Sequence, residues 1–307
     1  MDPLSDVLAL LKVQSALSAR FEGCGRWAMS FPSRQQMKFG CALEGGFWLW
    51  IEGQKSPVEI ATGDFYLLTG EMTYYTATDP HCTPLDGRRI FASCRDADGV
   101  VRYGNGDNRV VVTGGKFTFD DRTSDILLKQ LPPLIHLPAN RLRTGALTAV
   151  MSLLASETQS AQPGAAISAS SIATLVLVKL LRAYLASSDD AAGWLSAIRD
   201  RRIAAALSQM HADLAKSWKV EELAQHVGMS RTAFSQRFKT LVGLPPLDYL
   251  IRWRMAVARH ELIHSEQALL TIAEKVGYGS DTAFSSAFRR ITGQSPGRYR
   301  TLNRQGR

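Results

Sequence analysis

Apolar positions change their spacing twice along the 307 residues. Leu4, Val7, Leu8 and Leu11 recur three and four residues apart, which predicts an amphipathic helix over residues 4–20. From Phe39 to Phe119 the texture becomes short apolar runs such as Phe47-Trp48-Leu49-Trp50-Ile51, Phe65-Tyr66-Leu67-Leu68 and Arg109-Val110-Val111-Val112. Gly45-Gly46, Gly53, Gly63-Asp64, Asp86-Gly87, Asp98-Gly99 and Gly114-Gly115 separate them as turn signals. Short strands broken at that rate predict a β-barrel or sandwich. Beyond Pro132-Pro133 and Pro138 the period returns to that of helices, over about 142–157 and 168–186. Their apolar stripes are Leu147, Val150, Met151 and Leu154, then Ile172, Leu175, Val176 and Leu180. Ser187-Ser188-Asp189-Asp190 reads as a linker, and the chain is helical from there almost to its end.

The helical end contains a repeat. Leu223-Ala-Gln-His-Val227-Gly228-Met-Ser230-Arg-Thr-Ala-Phe234-Ser-Gln-Arg-Phe238, with Gly243, Pro246 and Tyr249, has a second copy. That copy is Ile272-Ala-Glu-Lys-Val276-Gly277-Tyr-Gly-Ser280-Asp-Thr-Ala-Phe284-Ser-Ser-Ala-Phe288, with Gly293, Pro296 and Tyr299. The offset steps from 49 to 50 after the first glycine, so Gly279 is an insertion. Each copy reads as a helix-turn-helix. A glycine permits positive φ in the turn, and a serine caps the following helix. That helix buries Phe234, Phe238 and Leu241, or Phe284, Phe288 and Ile291. Outward positions differ between the copies. Arg231 aligns with Asp281, Gln236 with Ser286 and Arg237 with Ala287, which predicts that the two helices read different bases in an asymmetric site. Leu247, Leu250, Ile251, Met255, Ala258 and Leu262 form the stripe of a connecting helix of about 16 residues, near 25 Å long. Such a strut suits two recognition helices about one DNA turn apart.

Charge sharpens this picture. The net charge is +8, yet residues 191–307 carry 18 Lys and Arg against 9 Asp and Glu, while residues 1–190 are almost balanced. A basic third of that size attracts a polyanion, and double-stranded DNA is the expected partner. At 45% hydrophobic and 21% charged, the composition is that of a globular protein rather than a disordered one. The acidic start Met1-Asp2-Pro3-Leu4-Ser5-Asp6 does not suit a signal peptide. The apolar run Ile172–Leu185 reads as too short and too charged to span a bilayer, so no membrane partner is expected. Four cysteines without a CxxC pair fit a reducing, cytoplasmic setting.

The segment 199–300 resembles the tandem helix-turn-helix domain of the AraC/XylS family of bacterial transcription regulators. The resemblance rests on Ala-Glu-Lys-Val-Gly-Tyr (273–278), Phe284-Ser285-Ser286-Ala287-Phe288-Arg289 and Gly293-Gln294-Ser295-Pro296-Gly297-Arg298-Tyr299-Arg300. It implies base contacts from Arg231, Thr232, Ser235 and Gln236 in the first copy, and from Asp281, Thr282, Ser285 and Ser286 in the second. Ser230, Lys239, Ser280, Arg289 and Arg290 suit phosphates. Asp281 suits either a cytosine amine or the helix dipole.

The amino-terminal half resembles the cupin-type regulatory barrel of such proteins, through Asp2–Leu8, Leu43-Glu44-Gly45, Gly63-Asp64 and Leu131–His136. The expected fold class is therefore α+β and multidomain. A cupin-like β-barrel with accessory helices occupies 1–138, a helical segment suited to dimerisation 139–190, and an all-α tandem helix-turn-helix domain 195–307. Trp48, Trp50, Phe65 and Tyr66 are candidates for a small-molecule effector pocket. Cys24 and Cys94, beside Arg26 and Arg95, are candidates for redox sensing. Only His81 and His136 lie in this half, neither in an HxH pair, so no metal or other cofactor and no catalytic residue is assigned. The expectation is a non-enzymatic, sequence-specific transcription regulator that acts as a homodimer with the transcription machinery. The alternatives are a non-specific nucleic-acid-binding protein, or a cupin enzyme fused to a DNA-binding module.

Overall fold

The structure is a computed structural model that describes residues 2–11, 13–32, 37–54, 56–70, 72–119, 131–141, 144–159, 162–187 and 194–304. It divides into a β-rich unit and a helical unit. The chain opens with helix α1 (Pro3–Leu11), whose Asp2 carboxylate accepts hydrogen bonds from the Ser5 backbone and hydroxyl.

The β-rich unit follows directly. Its strands are β1 (Val13–Cys24), β2 (Ala28–Phe31), β3 (Met37–Glu44), β4 (Phe47–Ile51), β5 (Val58–Ile60), β6 (Phe65–Leu68), β7 (Tyr74–Ala77) and β8 (Leu85–Asp86). Helix α2 (Gly87–Ser93) precedes β9 (Val100–Tyr103), β10 (Arg109–Phe119) and β11 (Leu134–Leu137). One sheet has the order β11-β6-β3-β10-β1-β9 and the other β5-β4-β7-β2-β8. Phe21, Ala42, Leu68, Val101, Val110 and Val112 of the first sheet share a buried core with Met29, Phe31, Phe47, Leu49, Ile51 and Ile60 of the second.

The helix expected over 4–20 ends at Leu11, and Val13–Cys24 is a strand instead. Its antiparallel ladder with β10 runs from Val13↔Phe119 to Cys24↔Arg109. The valines at 110–112 favour an extended partner, and Ser15 and Ser18 contribute little to a helix, so long-range pairing decides the local state. Two helices complete the unit, α3 (Thr144–Gln159) and α4 (Ala165–Ser187). Leu147, Met151 and Leu154 of α3 and Ala173, Val176, Leu177, Leu180 and Leu181 of α4 are buried. The Ser170 hydroxyl donates to the Val13 carbonyl at 2.6 Å, tying α4 to β1. The span Ala165–Ala186 is longer than the Ile172–Leu185 run read from sequence and, by length and composition alone, suffices to cross a membrane.

The helical unit comprises α5 (Trp194–Arg199), α6 (Arg201–Ala212), α7 (Val220–His226), α8 (Arg231–Val242), α9 (Pro246–His264), α10 (Leu269–Lys275), α11 (Asp281–Thr292) and α12 (Pro296–Arg304). Helix α1 belongs to this unit and not to the β-rich one, a departure from the 1–138 boundary expected for the barrel. It packs on α6 and α9, with Leu4, Val7 and Leu8 buried. The connecting helix α9 has 19 residues, about 28 Å at 1.5 Å per residue. Leu250, Met255, Ala258 and Leu262 of its stripe are buried, whereas Leu247 at its start is exposed.

Candidate nucleic-acid interface and sensor cavity

The two repeat copies fold into the same local machine. Gly228 (φ 64°) and Gly277 (φ 79°) both turn the chain in the left-handed region. In each turn the second N–H after the valine reaches back into the preceding helix, Met229 to the Ala224 carbonyl at 2.9 Å and Tyr278 to the Ala273 carbonyl at 2.8 Å. The copies agree through Tyr278, so Gly279 is inserted just before the cap. Ser230 accepts from the Ala233 N–H at 3.3 Å and Ser280 from the Ala283 N–H at 3.2 Å. Phe234 and Phe238 stand 5.6 Å apart, as do Phe284 and Phe288, and all four are fully buried. Gly243 and Gly293 end the recognition helices α8 and α11 in the same left-handed geometry. Tyr249 and Tyr299 then pack edge-on against Phe238 and Phe288. The third expected core position of each recognition helix, Leu241 or Ile291, is only half-buried. Val242 is buried while Leu241 is only half-buried, so the third core position of α8 lies one residue later than the spacing suggests.

These cores aim the variable residues outward. Arg231, Thr232, Gln236 and Lys239 are exposed and Ser235 half-buried, and together they line one shallow depression. Asp281, Thr282, Ser286, Arg289 and Arg290 are exposed on α11, with Ser285 half-buried. Ser230 is exposed at its helix start and Ser280 half-buried. Glu221 of α7 holds the Arg231 guanidinium, with Nε 3.0 Å from Oε1, a restraint that spacing alone did not reveal. Arg237 is engaged elsewhere. Its Nε donates to Asp200 at 2.6 Å, and Asp200 also caps α6 by accepting from the Arg202 and Ile203 N–H groups. Burial opposes the charge on Asp200, but those N–H donors and Arg237 together hold its carboxyl below the usual range. Detecting this pair from sequence would have required knowing that the chain between α5 and α6 comes within reach of α8.

The β-rich unit contains a cavity of about 510 Å³. Phe21, Phe31, Tyr66, Tyr74 and Phe91 line it, with Lys38, Arg88, Arg95 and Lys116 as the cations among its walls. Phe31 stacks on Tyr74 at 4.8 Å and meets Phe91 edge-on at 5.5 Å. Tyr66 lies across β3 because Gly40 has no Cβ, which would otherwise stand 2.4 Å from its Cζ and hydroxyl oxygen. Of the four residues expected to form an effector pocket, Tyr66 lines this cavity. Phe65 is buried, and Trp48 and Trp50 sit at the half-exposed positions of β4 while Phe47, Leu49 and Ile51 face the core. Trp50 stacks on Tyr75 at 5.2 Å. The strand's two-residue alternation sends the tryptophans away from the core.

All four cysteines are free thiols, Cys24, Cys82 and Cys94 half-buried and Cys41 buried. Burial, with Asp64 adding to it, pushes the Cys41 thiol up to about 12. His136 Nε2 lies 2.8 Å from the Asp64 carboxylate, which also accepts from the Ala61 and Ala139 N–H groups. Asp64 therefore fastens β11 to the Gly63-Asp64 turn. Among the described residues no group of three His, Cys, Asp or Glu side chains is placed to hold a metal ion.

Family models match both units, one described as Cupin over residues 2–186 and one as Helix-turn-helix domain over residues 223–302. A putative AraC-like transcription regulator of Streptomyces lividans is 39% identical over 98% of both chains. The chain belongs to the AraC-like transcription regulators. It is also similar to the HTH-type transcriptional regulator AlkR of Acinetobacter baylyi, at 28% identity over 98% of this chain and 99% of that one. The crystallised DNA-binding domain of AdpA, in complex with a target DNA, is 35% identical, covering 34% of this chain and 94% of that one at a TM-score of 0.33. This AraC-like chain is thus a DNA-binding regulator with a cupin-like amino-terminal region and a helix-turn-helix carboxy-terminal domain.

Proposed function

We propose that each chain reads an asymmetric DNA site in two blocks, with α8 in one major groove and α11 in the next. The observation that carries this reading is the pairing of matched cores with unmatched outer faces. Phe234/Phe284 and Phe238/Phe288 are equivalent and buried, while Arg231/Asp281 and Gln236/Ser286 are exposed and different. Arg231 and Gln236 suit guanine and adenine edges, and Thr232, Ser235, Thr282, Ser285 and Ser286 suit shorter polar contacts. Asp281 accepts from a cytosine amine. Lys239, Arg289, Arg290 and the caps at Ser230 and Ser280 hold phosphates.

A small-molecule effector in the cavity of the β-rich unit controls this reader, without catalysis or a metal. Leu153, Ile167 and Leu175 are exposed apolar residues on α3 and α4. They supply the contact for a cytoplasmic homodimer, which presents two readers to DNA and acts on the transcription machinery. Selection of sites from random duplex DNA by the full-length protein, under reducing conditions, tests the reading. Recovery of two unlike blocks about 10 base pairs apart supports it. Recovery of no consensus, with affinity that follows salt alone, contradicts it.

A further inference from the structure

The two turn glycines of the repeat stand in unlike surroundings. A Cβ at Gly228 would meet nothing within 4 Å, whereas Gly277 is closed in by the Leu214 carbonyl and the Arg254 guanidinium, each 2.7 Å from where its Cβ would stand. Neither neighbour belongs to the second helix-turn-helix. Leu214 lies in the loop 213–219 that leads into α7, and Arg254 near the middle of α9. Arg254 is half-buried, and its Nη2 donates to the Lys216 carbonyl of that loop at 2.8 Å. Burial lowers its pKa, with Tyr278 of the second turn and Asp213 of the loop opposing the shift.

The loop is fastened in turn to the first helix-turn-helix. Lys216 pairs with Glu222 of α7, and its Nζ lies 4.0 Å from the Trp218 ring centre. Trp218 meets His226 of α7 edge-on at 5.9 Å. The Trp218 indole donates to the Asp213 carbonyl at 2.9 Å, and the Asp213 carboxylate accepts from the Lys216 N–H at 3.0 Å, so the loop braces itself. A continuous path therefore runs from α7 through the loop and Arg254 to the turn in front of α11.

Helix α9 carries one reader towards each end. Tyr249 near its start meets Phe238 of α8, while Met255, Ala258 and Leu262 share a core with Phe284 and Phe288 of α11. Apolar packing is non-directional and opposes small rotations only weakly. A charge-assisted hydrogen bond is directional, and this one joins α9 to the loop beside the Gly277 turn. On DNA one base pair displaces a block by about 3.4 Å and turns it by about 35°. The angle between the readers is thus expressed as the spacing between the blocks.

We propose that Arg254 is a positioning residue that sets the spacing between the two DNA blocks, by tying the turn of the second helix-turn-helix to the loop in front of the first. This rests on the reading of two blocks by α8 and α11 and adds the residue that fixes their separation.

Binding titrations of the full-length chain test it, on duplexes carrying the selected site and on copies whose blocks are one base pair closer or farther apart. The wild type is expected to lose about tenfold or more in affinity on either change. Arg254→Met, which keeps an unbranched side chain and removes the hydrogen bond, should select the same bases in both blocks yet lose no more than about threefold. Arg254→Lys can still donate to the loop and should restore part of the discrimination. Gly277→Ala presses on the same joint and should also relax or shift the preferred spacing, whereas Gly228→Ala should keep the wild-type profile. Circular dichroism verifies the fold of each variant, and Arg254→Lys with Gly277→Ala decides the matter if Arg254→Met does not fold. Wild-type spacing discrimination in the folded variants, or a wild type indifferent to spacing, would overturn the positioning role and leave the two-block reading intact. Changed bases within a block on replacing Arg254 would also overturn it. A wild type that selects no two-block site would overturn the reading on which it rests.

Discussion

His211 Nδ1 lies 3.1 Å from the Asp6 carboxylate, across more than two hundred residues of sequence. The other ring nitrogen is 2.7 Å from the Tyr249 hydroxyl, and the ring stacks on Trp253 at 4.0 Å. A neutral imidazole fits this chain of contacts, with Nδ1–H donating to Asp6 and Nε2 accepting from Tyr249. Burial lowers the His211 pKa, and Asp6 only partly restores it. The first helix of the sequence is in this way fastened to the DNA-binding unit.

That relationship sets a pH dependence. A histidine whose folded pKa is depressed binds fewer protons in the folded state than in the unfolded one. Its contribution to stability is complete above the unfolded value, about 6.5, and is lost as pH falls toward and through the folded one. Urea unfolding at pH 7.5 and 5.5 should show the helical unit less stable at the lower pH, and His211→Gln should reduce the difference. Stability that rises on acidification, with the histidine variant unchanged, would contradict the linkage. Val7→Ala, in the wholly buried face of α1, should cost about 1–3 kcal/mol in the same assay.

The turn glycines should not be equivalent. A Cβ at Gly228 meets nothing within 4 Å, so Gly228→Ala pays only for positive φ, about 1 kcal/mol. A Cβ at Gly277 would lie 2.7 Å from both the Leu214 carbonyl and the Arg254 guanidinium. Gly277→Ala should therefore be the more destabilising of the two in denaturant titrations. Equal losses would show that the backbone around Leu214 gives way freely.

Arginines on α8 should separate by role. Arg231 is exposed and steadied by Glu221, while Arg237 is bound to the α6 cap at Asp200. Arg237→Ala is expected to lower stability and leave the preferred DNA sequence intact. Lys239→Ala and Arg289→Ala should weaken binding to all sequences alike and reduce the salt slope by about one ion each. A change of consensus on replacing Arg237 would refute the division.

Exposed apolar side chains on α3 and α4 predict self-association. The full-length chain should sediment as a dimer at micromolar concentration, and the double substitution Leu153→Glu with Leu175→Glu should give a folded monomer with weaker DNA binding. A monomeric wild type would contradict the proposed dimer.

The sequence made some of this legible and hid the rest for physical reasons. The repeat was readable because turns and cores are local. Gly228, Ser230, Phe234 and Phe238 act within one helix-turn-helix, and a second copy exposed the pattern. Helices α3, α4 and α9 followed from the 3.6-residue period. Strand β1 was missed because its extended state comes from β10, nearly a hundred residues away. The grouping of α1 with α6 and α9 was likewise unreadable, since the amphipathic face of Leu4, Val7 and Leu8 does not name its partner. Cavity lining depends on cross-strand register, which places Lys38 opposite Lys116 and turns Trp48 and Trp50 away from the core.

Two unlike readers on one chain is the central claim, and site selection with Arg231→Ala beside the wild type tests it most directly. The account predicts that the wild type recovers two unlike blocks and that the variant loses the base preferences of one block while the other persists. Simultaneous relaxation of both blocks, or none in either, would contradict it.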